Sequence, residues 1–326
     1  MSALISVFAR PLGEWLGVLD APDGKRKLHP TITPLAGGLA IGLPALLALL
    51  YGALTTVFLP LYLTVAAAGL ACLLLGLLDD RAHIRPIYRL LLSLLMALAV
   101  LEVVPDLMVT FLRFSFLGQV IFLEQFALVF TAICIVGLQN AVNMADGKNG
   151  LVIGLCLFWC LELLLFAPDH MRLVLLSLAA SLVVTLAFNL RGRLFLGDSG
   201  SYFLSFTFAL LAVYVYDIAF TALPADLMVL WFLIPVLDCL RVMAVRVARG
   251  RSPFASDRNH LHHMLYRRMP WRWGLLVYLG LAGVPGLLAS FAPGTALAWG
   301  IAAVCCYAVI VAWPSRRSQT AGGAAE

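Results

Sequence analysis

"PLYLTVAAAGLACLLLGLL", residues 60–78, runs without one charged side chain and stops at the pair Asp79 and Asp80. About 20 consecutive apolar residues cross the hydrocarbon core of a bilayer, so this stretch reads as a membrane span. The same measure picks out nine further runs, at roughly 36–58, 90–104, 126–142, 151–167, 173–189, 202–216, 226–245, 274–291 and 295–313. Composition agrees, since 63% of the 326 residues are hydrophobic and 12% are charged, against about 25% charged in a soluble domain. The expected fold is all-α, a polytopic integral membrane helix bundle of about 10 to 11 transmembrane helices. Residues 1–313 form its single transmembrane domain and 314–326 a disordered cytoplasmic tail. The eleventh helix is the stretch "MSALISVFARPLGEWLGVL", broken by Arg10, Pro11 and Glu14. It reads as a short first span or an interfacial helix, and it lacks the layout of a secretory signal.

Lysine and arginine in short loops stay on the cytoplasmic side. Assigning loops alternately puts 19 of the 22 basic residues on one side, with only Arg113 and Arg172 opposite and Arg10 unassigned. That side, which includes the C-terminus, is expected to be cytoplasmic. The net charge of +5 is spread over the rims of spans, which predicts no nucleic-acid partner and a surface suited to phosphates. All seven cysteines lie in or beside spans and read as buried small hydrophobes.

The polar clusters gather on that same side. They are "DAPDGKRKLHPTITPLAGG" (20–38), "GLLDDRAHIRPIYRLL" (76–91), "NAVNMADGKNGL" (140–151), "FNLRGRLFLGDSGSYF" (188–203) and "RGRSPFASDRNHLHH" (249–263). A transport pathway would place charges near the bilayer midplane, whereas a surface active site gathers them at one end of the bundle. Asp79 and Asp80 close a helix whose dipole disfavours carboxylates there, so Arg85, Arg89 or a metal ion must compensate. In "FLGDSGS", Ser199, Ser201 and the free amides of the next helix could hold phosphate oxygens, and Asp198 a divalent cation. His260, His262 and His263, beside Arg258, lack the ligand spacing of a zinc site and suit a pyrophosphate better. Asp238 is read as a helix-internal ion pair with Arg241 or as a substrate contact. Glu162 has no sequence-local partner.

Together these segments resemble the polyprenyl-phosphate N-acetylhexosamine-1-phosphate transferases, glycosyltransferase family 4. That family includes the O-antigen initiators, the muramyl-pentapeptide translocase and the dolichol-phosphate N-acetylglucosamine-1-phosphate transferase. The resemblance runs from about 19 to 265, through "GLLDD", "NxxNxxDG", "FxGDxGS" and "SPFASDRNHLHH". The HLHH ending is similar to the O-antigen and common-antigen branch. At the N-terminus the chain departs from the pattern, because most of the span that precedes "DxPxxRKxH" is missing.

The resemblance implies a bacterial inner-membrane enzyme with a cytoplasmic active site. It would move a sugar 1-phosphate from a UDP-sugar to polyprenyl phosphate and release UMP. It implies Mg2+, with Mn2+ as an alternative, on Asp198 and Asn143, and uracil stacking on Phe195. It places Asp79 and Asp80 near the lipid phosphate, as base or electrostatic organiser, with Arg89 pairing that phosphate. Asp146, Gly147 and Asn149 would shape the nucleotide pocket, and His260, His262, His263 and Arg258 would meet the donor pyrophosphate. Asn149 stands where most bacterial relatives carry aspartate, with Lys148 an unusual charge beside it. The implied partners are both substrates and the lipid bilayer, and a homodimer is compatible with them. A transporter or lipid flippase would also be polytopic, but it predicts repeated halves that this chain lacks. A transferase joining alcohols to CDP-activated lipids would need a D-G-x-x-A-R motif, of which "ADGKNG" shares only the first letters.

Overall fold

The computed structural model describes residues 1–21, 32–255 and 257–313. The basic triplet at 25–27 and the expected tail at 314–326 lie outside the described residues. Two short helices, α1 (Ser2–Val7) and α2 (Ala9–Leu16), open the chain. The bundle follows as α3 (Gly37–Thr55), α4 (Leu59–Ala82), α5 (Pro86–Val103), α6 (Ala127–Ala145), α7 (Leu151–Phe166), α8 (Asp169–Asn189), α9 (Gly197–Ala219) and α10 (Ala225–Ala248). It ends with a short α11 (Leu261–Arg268) and the long α12 (Trp271–Phe291) and α13 (Ala296–Ala312). Two small antiparallel pairs interrupt it, β1 (Leu19–Asp20) with β2 (Thr33–Pro34) and β3 (Phe111–Arg113) with β4 (Val120–Phe122).

Each of the ten expected runs is a helix. Among the described residues, nine helices are long and apolar enough to cross a membrane, so the chain is a multi-pass membrane protein. The tenth, α7, has 16 residues, or about 24 Å at 1.5 Å per residue, and it packs among α8, α9 and α12. Of the two readings of the first nineteen residues, the short span is corrected: the stretch breaks at Phe8 into two helices of 6 and 8 residues, each too short to span. Arg10 and Glu14 pair on an exposed face at 3.2 Å, and Trp15 is exposed. The cysteines divide, with Cys72, Cys156, Cys160 and Cys239 buried and Cys134, Cys305 and Cys306 on the outside of the bundle.

In lipid, apolar surface no longer tells inside from outside, and close approach through small residues organises the packing. The central element is α9, with 83% of its membrane window enclosed by α3, α4, α6 and α7. A Cβ on Gly76 of α4 would lie 2.4 Å from the backbone of Asp198 and Ser199, and one on Gly38 of α3 would lie 2.4 Å from the Gly200 nitrogen. Two helices therefore touch the first turn of α9 backbone to backbone. At the opposite end the β3–β4 hairpin is pinned down. The Arg113 side chain donates to the Phe220 and Thr221 carbonyls, and Ser115 donates to Asp226.

Candidate active site

The junction of α4 and α9 explains how two adjacent carboxylates are tolerated at a helix end. Asp79, 3% exposed, accepts the Ile84 N–H at 2.8 Å, the Tyr202 hydroxyl at 2.8 Å and Arg89 Nη1 at 2.6 Å. Its counter-charge is thus Arg89, in the first turn of α5, which also lies 4.0 Å from Asp198 Oδ2. Asp80 is satisfied differently: Oδ1 accepts the Asp198 N–H at 2.8 Å and Oδ2 the Ser199 N–H at 3.1 Å. One helix's unfavourable C-terminal carboxylate is therefore the next helix's favourable N-terminal one. Gly197 takes φ +75° there, and a Cβ on it would sit 2.7 Å from Asp80 Oδ2. The reading of free amides in "FLGDSGS" is corrected by this contact, because two of them hold Asp80. Ser199 and Ser201 are fully enclosed, facing the bundle and not an open phosphate site.

Asn143, in the last turn of α6, donates from Nδ2 to Asp198 Oδ1 at 2.5 Å and to Ser201 Oγ at 3.2 Å. Asp146 follows as the cap of α6. Burial pushes its carboxyl well above the usual range, and nearby Asp198 and Asp80 add to the shift. The loop then closes tightly. A Cβ on Gly147 would fall 2.3 Å from His262 Nε2, and the Gly150 N–H donates to Asn189 Oδ1 at 2.6 Å. The Asn149 carbonyl accepts Trp271 Nε1 at 2.8 Å. Lys148 lays its ammonium 3.4 Å from the centre of the Tyr266 ring, where burial and neighbouring Arg258 hold its pKa below the ordinary value.

The three histidines do not act alike. His260 turns inward and donates from Nδ1 to Asp238 Oδ2 at 2.9 Å, with Arg246 Nη2 3.4 Å from its other nitrogen. Of the two readings of Asp238, the ion pair is present, with Arg241 at 2.8 Å. His262 stacks on His260 at 5.6 Å and 8°, is 1% exposed, and has no hydrogen-bond partner at either nitrogen among the described residues. Burial, then His263 and His260, push its pKa well down. His263, half-buried, is held down to about 4 by desolvation, Lys148, His260, Arg267 and Arg258. Among the described residues, Arg258 of the expected phosphate ligands therefore forms a cationic pair with Lys148, and His263, neutral near pH 7, lies beside them.

One end of the bundle thus carries two poles, an acidic one of Asp80, Asp146 and Asp198, and a basic one of Lys148 and Arg258 with the neutral His263 ring beside them, joined where His262 meets Gly147. Among the described residues, no group of three or more His, Cys, Asp or Glu side chains is set to hold a metal by itself. The acidic pole nevertheless fits magnesium, which takes one or two carboxylates and completes its shell with water and substrate phosphates. Phe195 is placed by its backbone, its N–H donating to the Pro34 carbonyl and its carbonyl accepting the Gly37 N–H, both at 2.9 Å. Glu162 packs against Gly286, which Trp231 also borders, has no partner for either oxygen among the described residues, and belongs to neither pole.

Sequence reasoning missed Tyr202, Tyr266 and Tyr307. Tyr202 had a signal, since it stands four residues after Asp198 on one helix face. A cleft lined by Arg89, Leu90, Ser93, Gln139, Asn143 and Tyr202 leads from the acidic pole along α5 and α6.

Comparison with known proteins points to one family. The model of the family "Glycosyl transferase family 4" matches residues 62–216, which contain the Asp79–Asp80 pair, the 140–151 loop and Asp198. An undecaprenyl-phosphate alpha-N-acetylglucosaminyl 1-phosphate transferase from Yersinia pestis is 32% identical over 272 residues, covering 79% of this chain and 72% of the relative. A protein of the same description from Escherichia coli (strain K12) is 28% identical, over 82% of this chain and 74% of its own. A probable undecaprenyl-phosphate N-acetylglucosaminyl 1-phosphate transferase from Bacillus subtilis (strain 168) is 27% identical, over 80% and 73%.

Proposed function

The chain belongs to glycosyl transferase family 4, and on that footing we propose that it transfers N-acetylhexosamine 1-phosphate from a UDP-sugar to undecaprenyl phosphate. N-acetylglucosamine is the first choice of sugar, after the relatives' descriptions. An oxygen of the acceptor phosphate attacks the phosphorus that bears the sugar. The bond from that phosphorus to the oxygen bridging the two phosphates breaks, and UMP leaves with that oxygen. The product is a lipid-linked pyrophosphate that starts a cell-envelope glycan.

The observation that carries the reading is the meeting of the two poles at one end of a membrane bundle, where a water-borne nucleotide and a lipid phosphate can both reach. Positioning and charge neutralisation dominate such transfers. Asp198 and Asn143 are the bets to hold Mg2+, or Mn2+ in its place. The ion, when bound, would draw charge off the donor phosphates. Asp146 completes the acidic side, while Lys148, Arg258 and His263 face the donor pyrophosphate. Asn149 and Gly147 frame the uracil, with Phe195 as its stacking partner.

A second phosphate pKa near about 6 leaves the acceptor mostly deprotonated at neutral pH, so little general-base help is needed. Asp79 already accepts three donors and Asp80 two backbone amides. We therefore read both as organisers, Asp79 aiming Arg89 at the acceptor phosphate and Asp80 fixing Asp198. The prenyl chain would run down the cleft between α5 and α6. Loop charge favours a cytoplasmic active site in the inner membrane.

The test is to incubate the purified protein with undecaprenyl phosphate, magnesium and a panel of UDP-sugars, weighing the lipid product. A lipid heavier by one N-acetylhexosamine phosphate supports the proposal, and an unchanged lipid with every sugar sinks it.

A further inference from the structure

The last helix, α13, is peripheral. Only 17% of its membrane window is enclosed, and Tyr307 is its one hydroxyl side chain. That hydroxyl is not turned towards water or lipid. Tyr307 is 4% exposed, donates to Asp238 Oδ1 at 2.8 Å and accepts Arg241 Nε at 2.6 Å.

Asp238 is the hub of a network that joins three helices. The same Oδ1 takes Arg241 Nη2 at 2.8 Å, and Oδ2 takes His260 Nδ1 at 2.9 Å. Both oxygens lie 3.1 Å from the Leu261 N–H, the first amide of α11. One carboxylate therefore fixes the tautomer and direction of His260 and also anchors the N-terminus of the helix bearing His262 and His263. Arg241 closes the ring by donating to the Asn259 carbonyl at 2.5 Å. The far end of α11 is tied to the same helix, Arg268 donating to the carbonyls of Ile310, at 2.5 Å, and of Trp313. A helix mostly in contact with lipid thus makes its inward polar contacts with α11 and the hub that anchors it.

We propose that Tyr307 is a positioning residue for donor binding, holding Asp238 so that the His260–His262–His263 stack meets the loop at Gly147 in register. The proposal rests on the reading of the site given above, that His263, with Lys148 and Arg258, faces the donor. Tyr307 touches no substrate. Its ring fills space that phenylalanine would fill equally well, so Tyr307→Phe removes the hydroxyl alone. Asp238 keeps its other donors, and the fold should survive.

UDP-N-acetylglucosamine binding to wild-type and variant protein in detergent, measured by titration calorimetry without acceptor, separates the outcomes. Tyr307→Phe should weaken donor binding roughly 3- to 10-fold, the scale of one buried hydrogen bond. Its KM for undecaprenyl phosphate should match wild type, with only the small drop in thermal midpoint that one lost hydrogen bond brings. Arg268→Gln, which cuts the other tie, should act in the same direction, and Val304→Ala, on the exposed face of α13, should do nothing. Wild-type donor affinity in both Tyr307→Phe and Arg268→Gln would overturn the inference while leaving the reaction standing. So would parallel losses in midpoint, acceptor KM and donor affinity, which would mean a packing role. A wild-type protein that binds no UDP-sugar would instead overturn the reading of the site.

Discussion

At position 80 a carboxylate ends one helix and begins another, and that double duty separates it from its neighbour. Adjacent aspartates after an uninterrupted apolar run announce themselves in the sequence, because nothing else in that run is charged. Their division of labour does not, since it depends on Arg89 ten residues on and Tyr202 more than a hundred. Asp198 is the residue with least structural excuse: one oxygen meets Asn143 and the other stands 4.0 Å from Arg89. Asp198→Asn should lower turnover on the order of 10^2-fold or more, as loss of a focused charge at the reacting centre does, with little change in thermal midpoint. Initial rates of UMP release at saturating substrates check this.

His263 makes a second residue-level prediction. Its folded pKa is about 4, while an unfolded chain protonates histidine near about 6.5. Between those values the unfolded state holds more protons, so stability rises with pH across the window and falls as the pH drops through it. Melting curves in detergent should show the midpoint declining below about pH 6.5, and His263→Gln should flatten part of that decline.

For the helices, the apolar runs foretold ten elements because bilayer thickness sets their length. Which of them is central was hidden, since span hydropathy is alike for helices facing lipid and helices facing protein. Burial of α9 follows from Gly38 and Gly76, and a glycine in an apolar run gives no sign of what it touches. Gly76→Ala tests the α4–α9 contact. In a free helix the change would stabilise by about 1 kcal/mol. Here the new methyl meets backbone at 2.4 Å, so a loss of about 1–3 kcal/mol is expected, as for overpacked cores. The melting midpoint reads it, and turnover should fall too, because the displaced backbone carries Asp198. The short amphipathic start, α1 and α2, was the ambiguous element, since about nine clean apolar residues cannot settle a span.

Across the whole molecule, a bundle with its charged loops at one end brings together two substrates that share no solvent. Loop arginines predict the topology: reporter fusions after residues 83 and 255 should lie in the cytoplasm, with one after 117 on the other side. An inverted pattern would place the site where UDP-sugars are absent. The fate of one phosphorus decides the chemistry. With UDP-N-acetylglucosamine labelled at the phosphate next to the sugar, undecaprenyl phosphate and magnesium, the purified protein should carry the label into the lipid phase and leave unlabelled UMP in water. Label retained on water-soluble UDP, with sugar alone in the lipid, would contradict the account.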